Sequence, residues 1–151
     1  MLAAGGEYIF LQQQDDAIWG VPGGKVEKNE SPLKAFIREF FEETGILLKE
    51  DSVGHIKTVY ISDPRKDFIF HAFVYTFKAK PKIVLNEREH QAYTWRTLLE
   101  SLEMPLIWGE KEIFERYIEN HVSNLTREYL AYLKQAMIIK TDDYGCASLY
   151  E

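Results

Sequence analysis

Cysteine is nearly missing: Cys146 is the single one in 151 residues. No disulfide can close within the chain, so packing has to hold the fold, as suits a reducing compartment, and a cytoplasmic location is expected. The lone thiol has no histidine near it in the sequence and reads as inert. No apolar run approaches the length of a membrane span, and the first residues lack the basic-then-hydrophobic order of a secretory signal. Positive charge is in deficit, with Lys+Arg 18 against Asp+Glu 24 and a net charge of −6. Nonspecific binding to nucleic acid or to an anionic membrane is therefore disfavoured, and a phosphate-bearing partner should be small. Internal repeats and low-complexity tracts are also absent. What remains is 46% hydrophobic and 14% aromatic, enough for one domain with a real core.

The most structured reading falls on residues 24–46. Pro22, Gly23 and Gly24 make a loop in which backbone can approach a ligand closely. Ser31 is a good N-cap, Pro32 suits the first helical position, and Gly45 is a matching stop. Advancing 100° per residue from Glu39, an apolar stripe of Phe36, Phe40, Leu33, Thr44, Ile37 and Phe41 falls at roughly +60° to +200°. That stripe is expected to pack on a sheet through Phe36, Phe40 and Phe41. Glu39, Glu42 and Glu43 gather on the other side, with Arg38 flanking them, and are expected to face solvent. Like charges at these spacings repel by a few tenths of a kcal/mol per pair, which a hard divalent cation with oxygen ligands would offset.

Alone, Glu-x-x-Glu-Glu is a solvated helix face. Here Gly24, Glu30, Arg38, Glu39, Phe40, Glu42, Glu43, Gly45 and Ile46 occupy every fixed position of Gly-x5-Glu-x7-Arg-Glu-U-x-Glu-Glu-x-Gly-U, where U is aliphatic or aromatic. This pattern resembles the Nudix box, and the chain resembles a Nudix hydrolase. The resemblance implies a single α/β/α sandwich with a mixed β-sheet. It further implies Mg²⁺ or Mn²⁺ on Glu39, Glu42 and Glu43 with the Gly24 carbonyl, oriented by Arg38 and Glu30 from outside.

Along the rest of the chain, strands are expected at residues 7–13, 55–61, 68–78 and 92–95, the second-last buried on both faces. Residues 2–4 leave room for only a short leading strand, unless the natural chain starts earlier. A short edge strand is expected at 83–85, helices at 97–102 and 110–121, and a turn at 62–67. A further helix over 125–139 carries one stripe of Leu125, Tyr129, Tyr132, Leu133 and Ala136. The domain is therefore expected to span 1–123. Residues 124–151 would form a helical extension packed on it or on a second copy in a homodimer.

A second cluster, Glu-His-Gln-Ala-Tyr-Thr-Trp at 89–95, reads by itself as a charged loop entering a strand. It resembles the segment that brings a further carboxylate to the Nudix metal site, and also resembles diadenosine tetraphosphate hydrolases. Glu89 is then the leading loop carboxylate, Glu87 the reserve, and His90 a hydrogen-bonding neighbour, since hard magnesium prefers oxygen. The implied reaction is attack of water on a pyrophosphate, with Glu39 ranked above Glu89 as general base and Arg38 supporting. Tyr60, Phe68, Phe70 and Trp108 are candidates to stack on a nucleobase, and Arg65 and Lys66 to meet phosphate. A nucleoside triphosphate, dinucleoside polyphosphate or nucleotide sugar fits, and nucleic acid only as a capped or triphosphate RNA end. The alternative is a noncatalytic nucleotide-binding module of the same fold.

Overall fold

In the strand Glu7–Gln13 (β2), neighbouring side chains serve opposite layers of the molecule. Ile9 and Leu11 pack with Phe36, Phe40, Leu48, Phe73 and Ile83 on one side. Phe10, between them, packs with Leu98, Leu102, Phe114 and Ile118 on the other. The two-residue repeat of a strand makes this division unavoidable, and a run apolar at every position is what a strand covered on both faces requires. The computed structural model describes residues 2–62, 67–107, 109–121 and 149–150.

The remaining elements follow in order: strand Leu2–Ala4 (β1) before β2, then strand Trp19–Gly20 (β3), helix Pro32–Thr44 (α1) and a 3₁₀ turn, Glu50–Ser52. Next come strands Gly54–Ile61 (β4), Phe68–Thr76 (β5) and His90–Arg96 (β6). Helices Leu98–Ser101 (α2) and Glu110–His121 (α3) and the strand Leu149–Tyr150 (β7) complete the described elements. The sheet runs β3-β2-β1-β5-β4-β7, with β6 also paired to β2. β1 and β5 are parallel and the other pairings antiparallel, so the sheet is mixed. With α1 on one face and α2 and α3 on the other, this is the expected α/β/α sandwich. Phe36 and Phe73 lie 5.3 Å apart between α1 and β5, and Phe10 meets Phe114 edge-on at 5.7 Å between β2 and α3. Each such burial contributes about 1.5–3 kcal/mol.

Four expectations change. Phe41 is 51% exposed and is not part of the packing face, whereas Glu43, expected in solvent, is 5% exposed. The buried arc of α1, formed by Ala35, Phe36, Phe40, Glu43 and Thr44, spans roughly −40° to +140°, so the helix is rolled towards its glutamates. β5 is buried at Ala72 and Phe73, but Phe68 and Ile69 at its start are exposed, so burial on both faces does not hold along its length. Residues 83–85 form no strand. They are coil whose backbone caps α1: the Val84 N–H donates to the Thr44 carbonyl at 2.9 Å, and the Asn86 N–H to the Glu43 carbonyl at 3.0 Å. Those carbonyls lie in the last helical turn and need partners from outside. The helix expected at 125–139 and its paired-copy contact lie outside the described residues.

Candidate active site

α1 is delimited by the residues that suit its ends. Ser31 Oγ accepts from the Lys34 N–H at 3.3 Å, and Gly45 closes the helix at φ 72°, its N–H donating to the Phe41 carbonyl at 2.8 Å. Gly45 has the left-handed conformation that glycine adopts without penalty.

From the middle of α1, Arg38 reaches four partners. Its Nε and one terminal nitrogen grip both oxygens of Glu30 at 3.2 and 2.7 Å. It also donates to the Lys25 carbonyl at 3.0 Å, to Glu42 at 3.1 Å, and pairs with Glu39 Oε1 at 2.9 Å. Glu30 additionally accepts from the Glu27 N–H at 2.7 Å, which closes the loop ahead of the helix. The Arg38 hydrogen bond, with that of the Glu27 backbone, holds the Glu30 carboxyl below its ordinary value, and Glu30 in turn raises Arg38. One guanidinium thus fixes the positions of three carboxylates.

Glu43 works differently. Its Oε2 accepts from the Gly23 N–H at 2.9 Å and its Oε1 lies 2.9 Å from His90 Nε2. Burial raises the Glu43 carboxyl against the hydrogen bonds of His90 and Gly23, and the charge of Glu39 adds to the rise. For His90, burial pulls the imidazole down, but its hydrogen bond with Glu43 and the charges of Glu43 and Glu89 outweigh that and raise it.

Glu89 arrives on the loop whose start caps α1. Asn86 Nδ2 donates to Glu89 Oε1 at 2.8 Å, and the Glu89 carbonyl accepts from the Gln14 N–H at 2.9 Å. Donor atoms of Glu43, Glu89 and His90 all lie within 4.8 Å of one another. Gly24 is the other contributor: a β-carbon there would lie within the Glu39 carboxylate. The structure thus brings Glu43 and Glu89 together at the end of α1 and sets Gly24 against Glu39 one turn earlier, with Glu42 and Glu30 joined to Glu39 through Arg38. Glu87 is exposed on the same loop.

Of the substrate candidates, Tyr60 and Phe70 lie on the β4–β5 hairpin, where Val59 pairs with Phe70 and Tyr60 with Ile69. The Tyr60 phenol donates to Asp67, whose hydrogen bond raises the phenol's pKa above its ordinary value. Arg65, Lys66 and Trp108 lie outside the described residues. One group went unnoticed in the sequence. Glu110, at the start of α3, is buried, and both its oxygens accept from the Val21 N–H, at 3.2 and 3.3 Å. Burial pushes its carboxyl up to about 8, against the Val21 N–H, with the charge of Glu43 adding to the rise. Its only sequence signal is an acidic residue in the first turn of a helix, which ordinarily marks an exposed end.

Comparison with known proteins identifies the family. The family model described as "NUDIX domain" matches residues 1–117. Nudix hydrolase 8 of Arabidopsis thaliana is 28% identical over 134 residues, covering 88% of this chain and 35% of its own length. The chain therefore spans about a third of that relative. An 8-oxo-dGTP diphosphatase of Buchnera aphidicola is 34% identical over 103 residues, 66% of this chain and 77% of the relative. Among solved structures, a MutT protein from Methanosarcina mazei superposes with a TM-score of 0.68 at 26% identity, covering 82% of this chain and 91% of its own. The chain belongs to the Nudix family. Its class is that of the Nudix pyrophosphohydrolases.

Proposed function

We propose that the protein hydrolyses a pyrophosphate bond in a small nucleoside diphosphate derivative, with a nucleoside triphosphate as the leading substrate class, and depends on Mg²⁺ or Mn²⁺. The observation that carries this is the convergence of the Glu43 and Glu89 carboxylates within 4.8 Å at the end of a helix that also presents Glu39 and Glu42. The donors suit a hard cation. Glu39, Glu42, Glu43 and Glu89 offer oxygen, Gly24 lacks the β-carbon that would collide with the Glu39 carboxylate, and His90 is engaged by Glu43. Glu39, Glu42, Glu43 and Glu89, with the Gly24 carbonyl, would hold the ion. When bound, it supplies neutralisation of phosphate charge and a more acidic water.

The chain's own residues do the rest. Arg38 keeps Glu39 and Glu42 in place, as outer partners of a metal site do. Glu39 accepts the proton of the attacking water, and Glu89 is the alternative base. His90 fixes the Glu43 carboxylate. Tyr60 and Phe70, which the register puts on opposite faces of the β4–β5 hairpin, are alternative ring faces for a base, and Arg65 and Lys66 offer charge to phosphate. The name of the Buchnera relative supports a nucleoside triphosphate, while the Glu-His-Gln-Ala-Tyr run at 89–93 supports a dinucleoside polyphosphate. The reaction is placed in the cytoplasm, in keeping with the single cysteine, and in residues 1–123. For residues 124–151 we propose one of two alternatives, packing on this domain or on a second copy. Light scattering before and after truncation past Ser123 distinguishes these: a dimer lost on truncation supports the paired copy.

The deciding assay measures phosphate and pyrophosphate release from nucleoside triphosphates, dinucleoside polyphosphates, nucleotide sugars and capped or triphosphate RNA, with and without Mg²⁺. Release that requires Mg²⁺ and falls at least tenfold in Glu42→Gln and Glu43→Gln supports the proposal. Nucleotide binding without turnover on any substrate would instead make the chain a binding module.

A further inference from the structure

We propose that Glu110 is a positioning residue that clips the Val21–Gly24 loop into the shape in which Gly24 meets the box carboxylates. The inference rests on the reading of Gly24 and those carboxylates as the metal site. Residues 105–107 run alongside β3: the Trp19 N–H donates to the Pro105 carbonyl at 2.7 Å, and the Ile107 N–H to the Trp19 carbonyl at 2.8 Å. The next turn starts α3 with the Glu110 N–H on the Ile107 carbonyl at 3.1 Å. This sets the Glu110 carboxyl against the Val21 N–H, which both its oxygens receive.

Two residues further on, Glu43 receives the Gly23 N–H at 2.9 Å. Pro22, between them, is buried and has no N–H to place. The loop is thus held by two buried carboxyls from opposite layers, Glu110 on α3 and Glu43 on α1, immediately before Gly24 packs on Glu39. Gly23 and Gly24 are the most conformationally free residues of the loop, so without such anchors the Gly24 carbonyl has no fixed direction. A core alone gives no reason for a carboxyl at position 110. An apolar side chain of similar volume would fill it without the cost of desolvating an acid.

Two variants separate the acceptor from the acid. Glu110→Gln keeps a carbonyl oxygen at the same reach, and Glu110→Asp keeps the acid but withdraws it by one methylene. Amide hydrogen exchange is followed at Val21, Gly23 and Phe10 in the metal-free protein, together with kcat, nucleotide KM and the Mg²⁺ concentration for half-maximal hydrolysis. In Glu110→Asp, Val21 should exchange roughly tenfold faster, the weight of one lost hydrogen bond, with Phe10 unchanged. The Mg²⁺ half-saturation should rise about tenfold while nucleotide KM stays put. Glu110→Gln should match the parent throughout. Unchanged Val21 exchange in Glu110→Asp, impairment of Glu110→Gln equal to that of Glu110→Asp, or loss of Phe10 protection in Glu110→Asp would each overturn the proposal. Hydrolysis by the parent without Mg²⁺ would sink the metal reading instead, and the exchange measurements would still judge the clip.

Discussion

Phe40 and Phe41 are neighbours of identical chemistry with opposite surroundings: 1% of Phe40 is exposed and 51% of Phe41. Phe40→Ala should cost about 3–5 kcal/mol in chemical denaturation. Phe41→Ser should stay within about 0.5 kcal/mol, as surface substitutions do. Polarity alone misassigned this helix face. Glu43 is roughly 60° from Phe40 around α1 and Phe41 100°, so geometry favoured the acid for burial and hydropathy favoured the ring. What admits the acid is His90, 47 positions away in sequence, and no local pattern displays that partner. The same holds for Glu110, whose burial depends on residues 105–107 lying along β3. Its pH signature follows from the direction of its shift. A carboxyl at 4.5 when unfolded and about 8 when folded contributes its full stability below 4.5 and loses it as pH rises towards 8. Metal-free melting temperature should therefore fall between pH 5 and pH 8, by a stability difference on the order of a few kcal/mol. Glu110→Gln should flatten that fall without removing it, because Glu43 and His90 shift in the same direction.

At the scale of elements, α1 was legible almost to the residue, because Ser31, Pro32 and Gly45 act locally and a local signal is what a sequence displays. The cap formed by residues 84–86 was not, since the apolar run Ile83-Val84-Leu85 suggests an edge strand while the N–H groups of Val84 and Asn86 in fact serve the helix end. Gly45 joins the two. Its left-handed φ of 72° disfavours any side chain, and a β-carbon there would meet Val84 Cβ at 3.1 Å. Gly45→Ala should therefore cost about 1–2 kcal/mol in backbone strain alone. It should also lower kcat, because pushing Val84 away moves the segment that carries Glu89. Thermal melting and turnover measured on the same preparation check both effects, and an active, fully stable variant would separate the cap from the site.

For the molecule as a whole, the metal reading ties stability to ionic conditions. Mg²⁺ at about 100 times its Kd should add about 2.7 kcal/mol to unfolding free energy, and EDTA should remove that increment. Glu43→Gln should abolish most of the Mg²⁺-dependent rise in melting temperature, which calorimetry with and without the ion measures directly. The α/β/α layering was legible through the resemblance that residues 24–46 carry, not through any local pattern of strands and helices. The order of the strands was not legible, because β6 joins β2 across more than 75 residues and nothing near either strand says so. That pairing has an evolutionary consequence. Since β2 is apolar on both faces, lengthening it by one residue would still present Phe10, Ile9 and Leu11 to greasy neighbours, and burial would do little to reject the slip. The pairing of Gln13 with His90 beside the Gln12/Gln13 bulge would nonetheless move along by about 3.4 Å. Single-residue insertions and deletions in this strand should therefore survive in a screen for soluble protein and vanish in a screen for activity.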